Sequence, residues 1–453
     1  MRKRITGVLL AAVMAASLTA CSGLQTPTAG PVNGGDTTGD NVSQETEDTG
    51  DAGQESTADA GTETTDNTNP GETAEEQDGN ASAGGVYDML GEDWWKEVYL
   101  EFITTELPGL ISEYDDLKTW TYGFIYVNDD YLPELVACSG YEAAGNIVVT
   151  IIDGETQYFQ TGRLGLQYVP YGNVLCNSDG NMGYYHDFVW TIGDSGFENI
   201  AVGFREDEMN ENGYTGNVIY TWDDKSVSGE EYESNLDALI PYSKALSFCA
   251  GSLYDDMIAF LEGSGPRDYK EAYLDAMKRI RDYEGNTYPA FALIEQNNGD
   301  PLLMASNDDS FVFASFSGGI LQIGPSWYFP TESDYTYDII RIFSGLGLVE
   351  SFTAYTESYN NSYSYYRMMD GSLLADYISS DPIRDENGEL TYDADGDYAF
   401  RYYRNGREIE KAEYMDFFKQ YEEEFFQQLT PYSSEATFID YVSGDAMEDM
   451  LKK

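Results

Sequence analysis

An internal repeat is the feature that most limits the folds open to this chain. Residues 95–100 (WKEVYL) recur as residues 269–274 (YKEAYL), and in both copies the apolar residues have helical spacing. Three further pairs of segments follow in the same order: 124–137 with 292–305, 186–197 with 337–348, and 212–232 with 395–414. Four ordered correspondences predict two homologous units, over about 94–240 and 269–426.

Each unit contains alternating apolar and polar runs, which predict antiparallel hairpins. Dipeptides typical of tight turns separate the runs, namely Asp153-Gly154, Asp179-Gly180, Asn212-Gly213, Asn387-Gly388 and Asn405-Gly406. A helix should close the first unit, because Ser228 and Glu231 fit a capping box. The predicted fold is therefore α+β and mainly antiparallel β, with two helix–β-meander–helix units. A meander can form a curved sheet, close into a barrel or divide into propeller-like blades, and the sequence does not choose among them.

The N-terminal part of the chain has a different composition. Residues 22–85 contain no Lys, Arg or aromatic residue, and such a segment cannot bury enough apolar area to fold. We therefore expect a disordered acidic stalk. The predicted domains are a signal peptide at 1–20, a lipid-bearing Cys with its linker at 21–85, and β-rich units at 86–250 and 251–453.

Residues 1–20 combine three basic residues with an apolar run, as in a secretory signal. The run is shorter than the roughly 20 residues of a membrane span. Residues 18–21 (LTAC) resemble the lipobox of bacterial lipoproteins. The resemblance implies that Cys21 carries a thioether-linked diacylglycerol and anchors the chain on the outer face of the cytoplasmic membrane. The folded part is similar to tandem modules of uncharacterised surface lipoproteins of anaerobic Gram-positive bacteria, and that resemblance implies no activity.

The net charge of the chain limits the classes of molecule that it can attract as partners. The chain has 24 Lys and Arg against 81 Asp and Glu, a net charge of −57. Long-range attraction to nucleic acid is excluded, because the phosphate backbone has the same sign of charge. Calcium, cationic peptides and neutral glycans remain possible partners.

Calcium is the metal that the sequence favours, because hard cations bind carboxylate and carbonyl oxygens grouped on turns. Two acidic turns supply such oxygens: Asp393, Asp395 and Asp397 in one, and Asp129, Asp130 and Glu134 in the other. Both segments depart from known calcium-loop patterns. The alternative interpretation is a solvated hairpin turn in each place.

Residues 355–366 (YTESYNNSYSYY) form the densest run of tyrosines in the chain. Exposed tyrosines can stack on sugar rings or hold a peptide. The ligand-binding candidates are Tyr355, Tyr359, Tyr363 and Tyr365. The alternative is a cross-strand tyrosine ladder with a purely structural role.

No catalytic residue can be assigned. His186 is the single histidine, which excludes a zinc site built from several histidines, and no nucleophile or phosphate-loop motif is present. The sequence favours a membrane-anchored surface lipoprotein that acts as a non-catalytic extracellular binding module. The alternatives are a surface glycan hydrolase that uses paired carboxylates and a structural envelope protein.

Overall fold

Antiparallel strands dominate the fold, as the sequence predicts. The computed structural model describes residues 93–453, except 113–114, 142–143, 164, 182, 211–212, 282, 298, 330–335, 356–357, 386, 395, 423, 432 and 435–438. The described residues group into one compact unit. The predicted signal peptide, Cys21 and the stalk lie outside the described residues.

The N-terminal half of the described chain begins with a helix and continues as a long meander. Its helices are α1 (Trp94–Glu101), α2 (Leu107–Leu110), α3 (Gly229–Leu239) and α4 (Tyr254–Leu261), with a π-helical turn at Phe102–Glu106 and a 3-10 turn at Leu117–Thr119. Its strands are β1 (Thr121–Ile125), β2 (Glu134–Cys138), β3 (Asn146–Ile152), β4 (Glu155–Gln160), β5 (Leu166–Val169), β6 (Val174–Asn181), β7 (Tyr184–Gly193), β8 (Gly196–Asn210), β9 (Gly213–Trp222), β10 (Lys225–Val227) and β11 (Leu246–Leu253).

The C-terminal half has a similar order of elements. Its helices are α5 (Tyr269–Ile280), α6 (Lys411–Lys419) and α7 (Gly444–Leu451), with 3-10 turns at Tyr283–Gly285 and Ser344–Leu346. Its strands are β12 (Ala290–Ile294), β13 (Leu302–Ser306), β14 (Ser310–Ser317), β15 (Ile320–Tyr328), β16 (Thr336–Phe343), β17 (Leu348–Tyr355), β18 (Asn361–Met369), β19 (Ser372–Pro382), β20 (Phe400–Arg404), β21 (Arg407–Ile409), β22 (Gln427–Gln428) and β23 (Val442–Ser443).

Strand β11 joins the two halves. It pairs with β1 and β5 on the N-terminal side and with β19 on the C-terminal side. From β5 the strands follow in chain order to β10, and from β16 they follow in chain order to β21. A separate five-stranded sheet has the order β15-β14-β13-β12-β23. The described strands therefore pair as open sheets, and the predicted domain boundary at residue 250 falls inside β11.

The local predictions hold at several points and fail at one. Helix α5 buries Ala272, Tyr273, Ala276, Met277 and Ile280, which is the predicted helical spacing. The Ser228 hydroxyl caps α3 by accepting a bond from the Glu231 backbone N–H. The dipeptides Asp153-Gly154 and Asn405-Gly406 form the predicted tight turns, with positive φ at all four residues. The turn predicted at Asp179-Gly180 is wrong, because these residues lie within β6 and pair with β7.

Candidate functional site

The four tyrosines predicted to bind a ligand lie on the hairpin of β17 and β18, but only two are exposed. Tyr363 packs on Phe418 with the ring centroids 4.8 Å apart. Tyr365 is 2% exposed and donates a hydrogen bond of 2.6 Å to Glu350. Burial and the Glu350 charge raise the pKa of Tyr365. These two side chains belong to the core beneath α6, so Tyr355 and Tyr359 alone present rings to solvent.

Tyr359 lies in the turn of that hairpin with its backbone in the left-handed region, at φ 64°. Its N–H donates to the Tyr355 carbonyl at 2.8 Å, and the Tyr355 N–H donates to the Asn360 carbonyl at 2.9 Å. Arg384 donates to the Ser358 carbonyl at 3.2 Å, which ties the turn to the segment after β19. The backbone that carries the Tyr359 ring is therefore fixed, while 46% of the residue's surface is exposed.

Two further tyrosines extend this exposed surface. Tyr392 and Tyr398 face each other across an isolated β-bridge, and their rings stack 5.2 Å apart. The Tyr398 ring also lies 5.8 Å from the Tyr359 ring. Tyr392 is 65% and Tyr398 41% exposed. We refer to Tyr359, Tyr392 and Tyr398 as the tyrosine platform, in which Tyr398 is the central ring.

A polar groove of about 540 Å³ opens beside the platform. Asp393 and Ala399, which directly follow Tyr392 and Tyr398 in the chain, line its wall. The charged residues of the groove are Asp393, Arg401, Glu408, Glu410, Lys411 and Glu413. Tyr242 also lines it, and burial together with Glu413 raises the pKa of this phenol.

Local hydrogen bonds fix several of these groups. Glu410 and Glu413 form a capping box at the start of α6, where the Glu410 N–H donates to Glu413 Oε2 at 3.2 Å. Lys411 Nζ lies 3.3 Å from Asp393 Oδ2, and this hydrogen bond raises the pKa of the ammonium group. The groove thus offers carboxylate acceptors and cationic donors in fixed positions, which is the pattern that binds polyhydroxylated or peptide ligands.

The acidic turn predicted to bind calcium lies in this groove. Asp393 Oδ1 accepts a bond of 3.1 Å from the Asp397 N–H, and Oδ2 faces Lys411. Asp395, the middle residue of the proposed triplet, lies outside the described residues. The cation that the structure places beside Asp393 is thus the Lys411 ammonium group.

In the second acidic turn, Asp129 is exposed, whereas Asp130 and Glu134 accept hydrogen bonds from neighbouring protein groups. Asp130 accepts bonds from the Leu132 N–H at 2.9 Å and the Asn128 amide at 3.0 Å. Glu134 is fully buried, accepts a bond of 2.8 Å from the Val127 N–H, and lies 3.3 Å from the Thr150 hydroxyl. Burial raises its pKa to about 8. In the part of the chain that the structure describes, no three His, Cys, Asp or Glu side chains are grouped to hold a metal ion.

His186 lies away from the groove, in β7. Its ring stacks on Phe188 at 5.4 Å and contacts Phe204 at 4.7 Å, between centroids. Across the described residues, no helix is both long and apolar enough to cross a membrane.

Comparison of the chain with protein-family models, curated proteins and solved structures finds no match. The sequence pointed to Tyr359 and Asp393 through their dense local patterns. It did not point to Tyr392 and Tyr398, whose one signal is their position on either side of the acidic turn at 393–397.

Proposed function

We propose that this chain is a surface-anchored binding protein whose tyrosine platform and adjoining groove hold a neutral glycan. The observation that carries the proposal is the position of Tyr398. This half-exposed ring contacts both other platform rings, and the next residue in the chain, Ala399, lines a groove that contains hydrogen-bonding groups. Stacked phenol rings offer flat apolar faces to sugar rings, and their hydroxyls stay hydrated.

The charges of the groove favour a neutral ligand. Acidic residues stand beside Arg401 and Lys411, so hydroxyl groups find both acceptors and donors. A polyanionic ligand would meet Glu408, Glu410 and Glu413, and the net charge of −57 would repel it at long range.

The backbone conformation of Tyr359 supports a binding role. A residue with a Cβ at positive φ costs of order 1 kcal/mol, and such strain clusters at functional sites. The hydrogen bonds to Tyr355 and from Arg384 fix the turn that carries the ring, and the Tyr398 ring packs 5.8 Å from it before a ligand arrives. A preorganised ring loses less conformational entropy on binding than a mobile one.

The proposal includes the two duplicated units, which matched contacts support. Tyr99 on α1 donates to the Pro133 carbonyl at 2.6 Å, and Tyr273 on α5 donates in the same way to Pro301. The end of β11 pairs with β1 just before α4, and β23 pairs with β12 just before α7. Likewise, β11 pairs with β5, and β22 pairs with β16. This match aligns β16 and β17 with β5 and β6, so it replaces the sequence correspondence of 186–197, which lies on β7 and β8, with 337–348. These matches favour a boundary after α4.

The platform belongs to the second unit only. In the first unit, two residues separate the end of β8 from the start of β9. In the second unit, the corresponding strands β19 and β20 are separated by residues 383–399, which carry Tyr392, Tyr398 and Asp393. Insertions in surface loops of a repeated scaffold are common locations of binding sites.

Anchoring through Cys21 would place this site outside the cell, raised from the membrane by residues 22–85. The Cys21→Ala variant should release the protein from cells into the medium, because one substitution removes both acyl chains. Immunoblots of cell and medium fractions measure the change. Cys249→Ala is the control and should stay with the cells, and retention of Cys21→Ala contradicts the anchor.

The full chain, kept in mild detergent, should bind purified cell wall and members of a neutral glycan panel. Tyr398→Ala should weaken binding about ten-fold or more, because it removes the ring that contacts both others. Tyr328→Ala, which alters an exposed tyrosine of β15, is the matched control and should bind as the wild type does. Equal binding by Tyr398→Ala contradicts the proposal. Release of free sugars in the same assay would indicate a hydrolase instead.

A further inference from the structure

Three tyrosines in the described chain have backbone conformations that tyrosine rarely adopts. The other described non-glycine residues with positive φ are all Asp or Asn, which tolerate the left-handed region. The exceptions are Tyr131 at 68°, Tyr171 at 58° and Tyr359 at 64°. All three side chains are exposed, Tyr131 by 94% and Tyr171 by 62%. Tyr359 belongs to the platform, whereas Tyr131 and Tyr171 lie on loops of the first unit.

The second unit has glycine at both corresponding positions. Tyr131 precedes Pro133 by two residues in the loop between β1 and β2, as Gly299 precedes Pro301 between β12 and β13. Gly299 also has a positive φ, of 111°. The fold of this loop thus requires an unusual conformation that glycine supplies without strain, and the tyrosine adds a fully exposed ring.

Tyr171 also stands where the second unit has a glycine, although that glycine does not have a positive φ. Val169 pairs with Val174 around the loop between β5 and β6, and Phe343 pairs with Leu348 around the loop between β16 and β17. Both loops have four residues, which aligns Tyr171 with Gly345. A Cβ on Gly345 would lie 2.7 Å from Asn297 Nδ2, so any larger residue there would require the Asn297 side chain to move.

The two tyrosine-bearing loops of the first unit are bonded to each other. The Tyr171 N–H donates to the Tyr126 carbonyl at 2.9 Å, and the Asn173 N–H donates to the Val127 carbonyl at 2.6 Å. The Tyr126 and Tyr171 rings stack 5.7 Å apart. Glu134 and Tyr99 hold the other end of the Tyr131 loop through the Val127 N–H and the Pro133 carbonyl. These contacts fix the backbone that carries the exposed rings.

The charge around these rings is negative. Asp129 and Asp130 are in the same loop as Tyr131, and neither 126–133 nor 170–173 contains a Lys or Arg. The faces of aromatic rings attract organic cations, and nearby carboxylates strengthen that attraction. We propose that Tyr126, Tyr131 and Tyr171, with Asp129 and Asp130, form a second binding site, which takes the Lys or Arg side chains of a basic peptide. This site is independent of the tyrosine platform.

The test measures fluorescence anisotropy of a labelled Arg- and Lys-containing octapeptide with the full chain in mild detergent. A peptide of the same length with citrulline and acetyl-lysine is the neutral control. The basic peptide should bind, and Tyr131→Gly and Tyr171→Gly should each weaken binding about five-fold or more. Both variants introduce the residue that the second unit has, so the fold should stay intact in circular dichroism and thermal melts.

Two control variants show whether peptide binding depends on this site or on any exposed tyrosine. Tyr328→Ala and the platform variant Tyr398→Ala should bind the basic peptide as the wild type does. Unchanged binding by Tyr131→Gly and Tyr171→Gly would overturn the proposal, because the attraction would then come from the net charge alone. Equal binding of the neutral peptide would also overturn it. Loss of glycan binding, with peptide binding intact, in the two glycine variants would reassign these rings to a sugar.

Discussion

Glu134 is the residue whose sequence and structural interpretations differ most. Its position after an acidic turn suggested a calcium ligand, but β2 begins at this residue and turns its side chain into the core. The Val127 N–H and the Thr150 hydroxyl surround the carboxyl group. Burial favours the neutral form, so the pKa rises from its ordinary 4.5 to about 8. A neutral buried carboxyl is a poor calcium ligand.

The free energy of unfolding should therefore depend on the protonation of Glu134. The folded chain holds this proton more tightly than the unfolded chain, so stability falls as the pH rises from 4.5 to about 8. The slope of this contribution is at most about 1.4 kcal/mol per pH unit. Glu134→Gln mimics the protonated group without titrating, and its stability should fall less over this range. Urea unfolding at a series of pH values measures both proteins, and parallel curves would contradict the raised pKa.

The exposure of individual tyrosines is a second property that the residue pattern could not predict. Tyr355 and Tyr365 are equivalent in sequence, since each belongs to a dense polar run of tyrosines. They differ only because α6, from a segment about 50 residues later, covers Tyr365 and leaves Tyr355 exposed. Burial of that kind depends on tertiary packing, which a local pattern does not contain.

At the scale of elements, helix and turn signals predicted most of the local structure. The apolar spacing of α5 and the capping residue of α3 depend on near neighbours in the chain, so they could be predicted. The pairing of β11 with β5, β1 and β19 joins residues far apart in sequence. No short pattern specifies such pairings, which is why the sheet order could not be predicted.

The hydrogen bonds from Tyr99 to the Pro133 carbonyl and from Tyr273 to the Pro301 carbonyl allow a test of the two proposed units. Tyr99→Phe and Tyr273→Phe should each lower the free energy of unfolding by about 1 to 2 kcal/mol, because each leaves a proline carbonyl without its donor. Urea unfolding measures both. Tyr131→Phe, which loses no buried bond, should change stability by less than about 0.5 kcal/mol. A large loss in only one of the two helix variants would contradict equivalent roles in two homologous units.

At the scale of the whole molecule, shared cores connect the two halves of the described chain. Leu374 and Met369 of the C-terminal half pack with Phe248, Leu166 and Tyr168 of the N-terminal half. Ile320 similarly packs in the core formed by α1 and the first strands. The cores of the two halves are therefore not separable, although their elements follow a similar order.

We expect residues 93–453 to unfold in a single cooperative transition for this reason. Differential scanning calorimetry of the full chain should give one peak, with calorimetric and van't Hoff enthalpies that agree. Two resolved peaks would mean that β11 and the shared core join the units only weakly.

The tyrosine platform is tested most directly by titrating the full chain with the glycan that it retains best from the neutral panel. Isothermal titration calorimetry would compare the wild type with Tyr398→Ala and Tyr328→Ala, after thermal melts establish that all three are folded. If the proposed site is correct, we expect Tyr398→Ala alone to weaken binding, by about ten-fold or more. Identical affinities for all three proteins would contradict a glycan site at the platform.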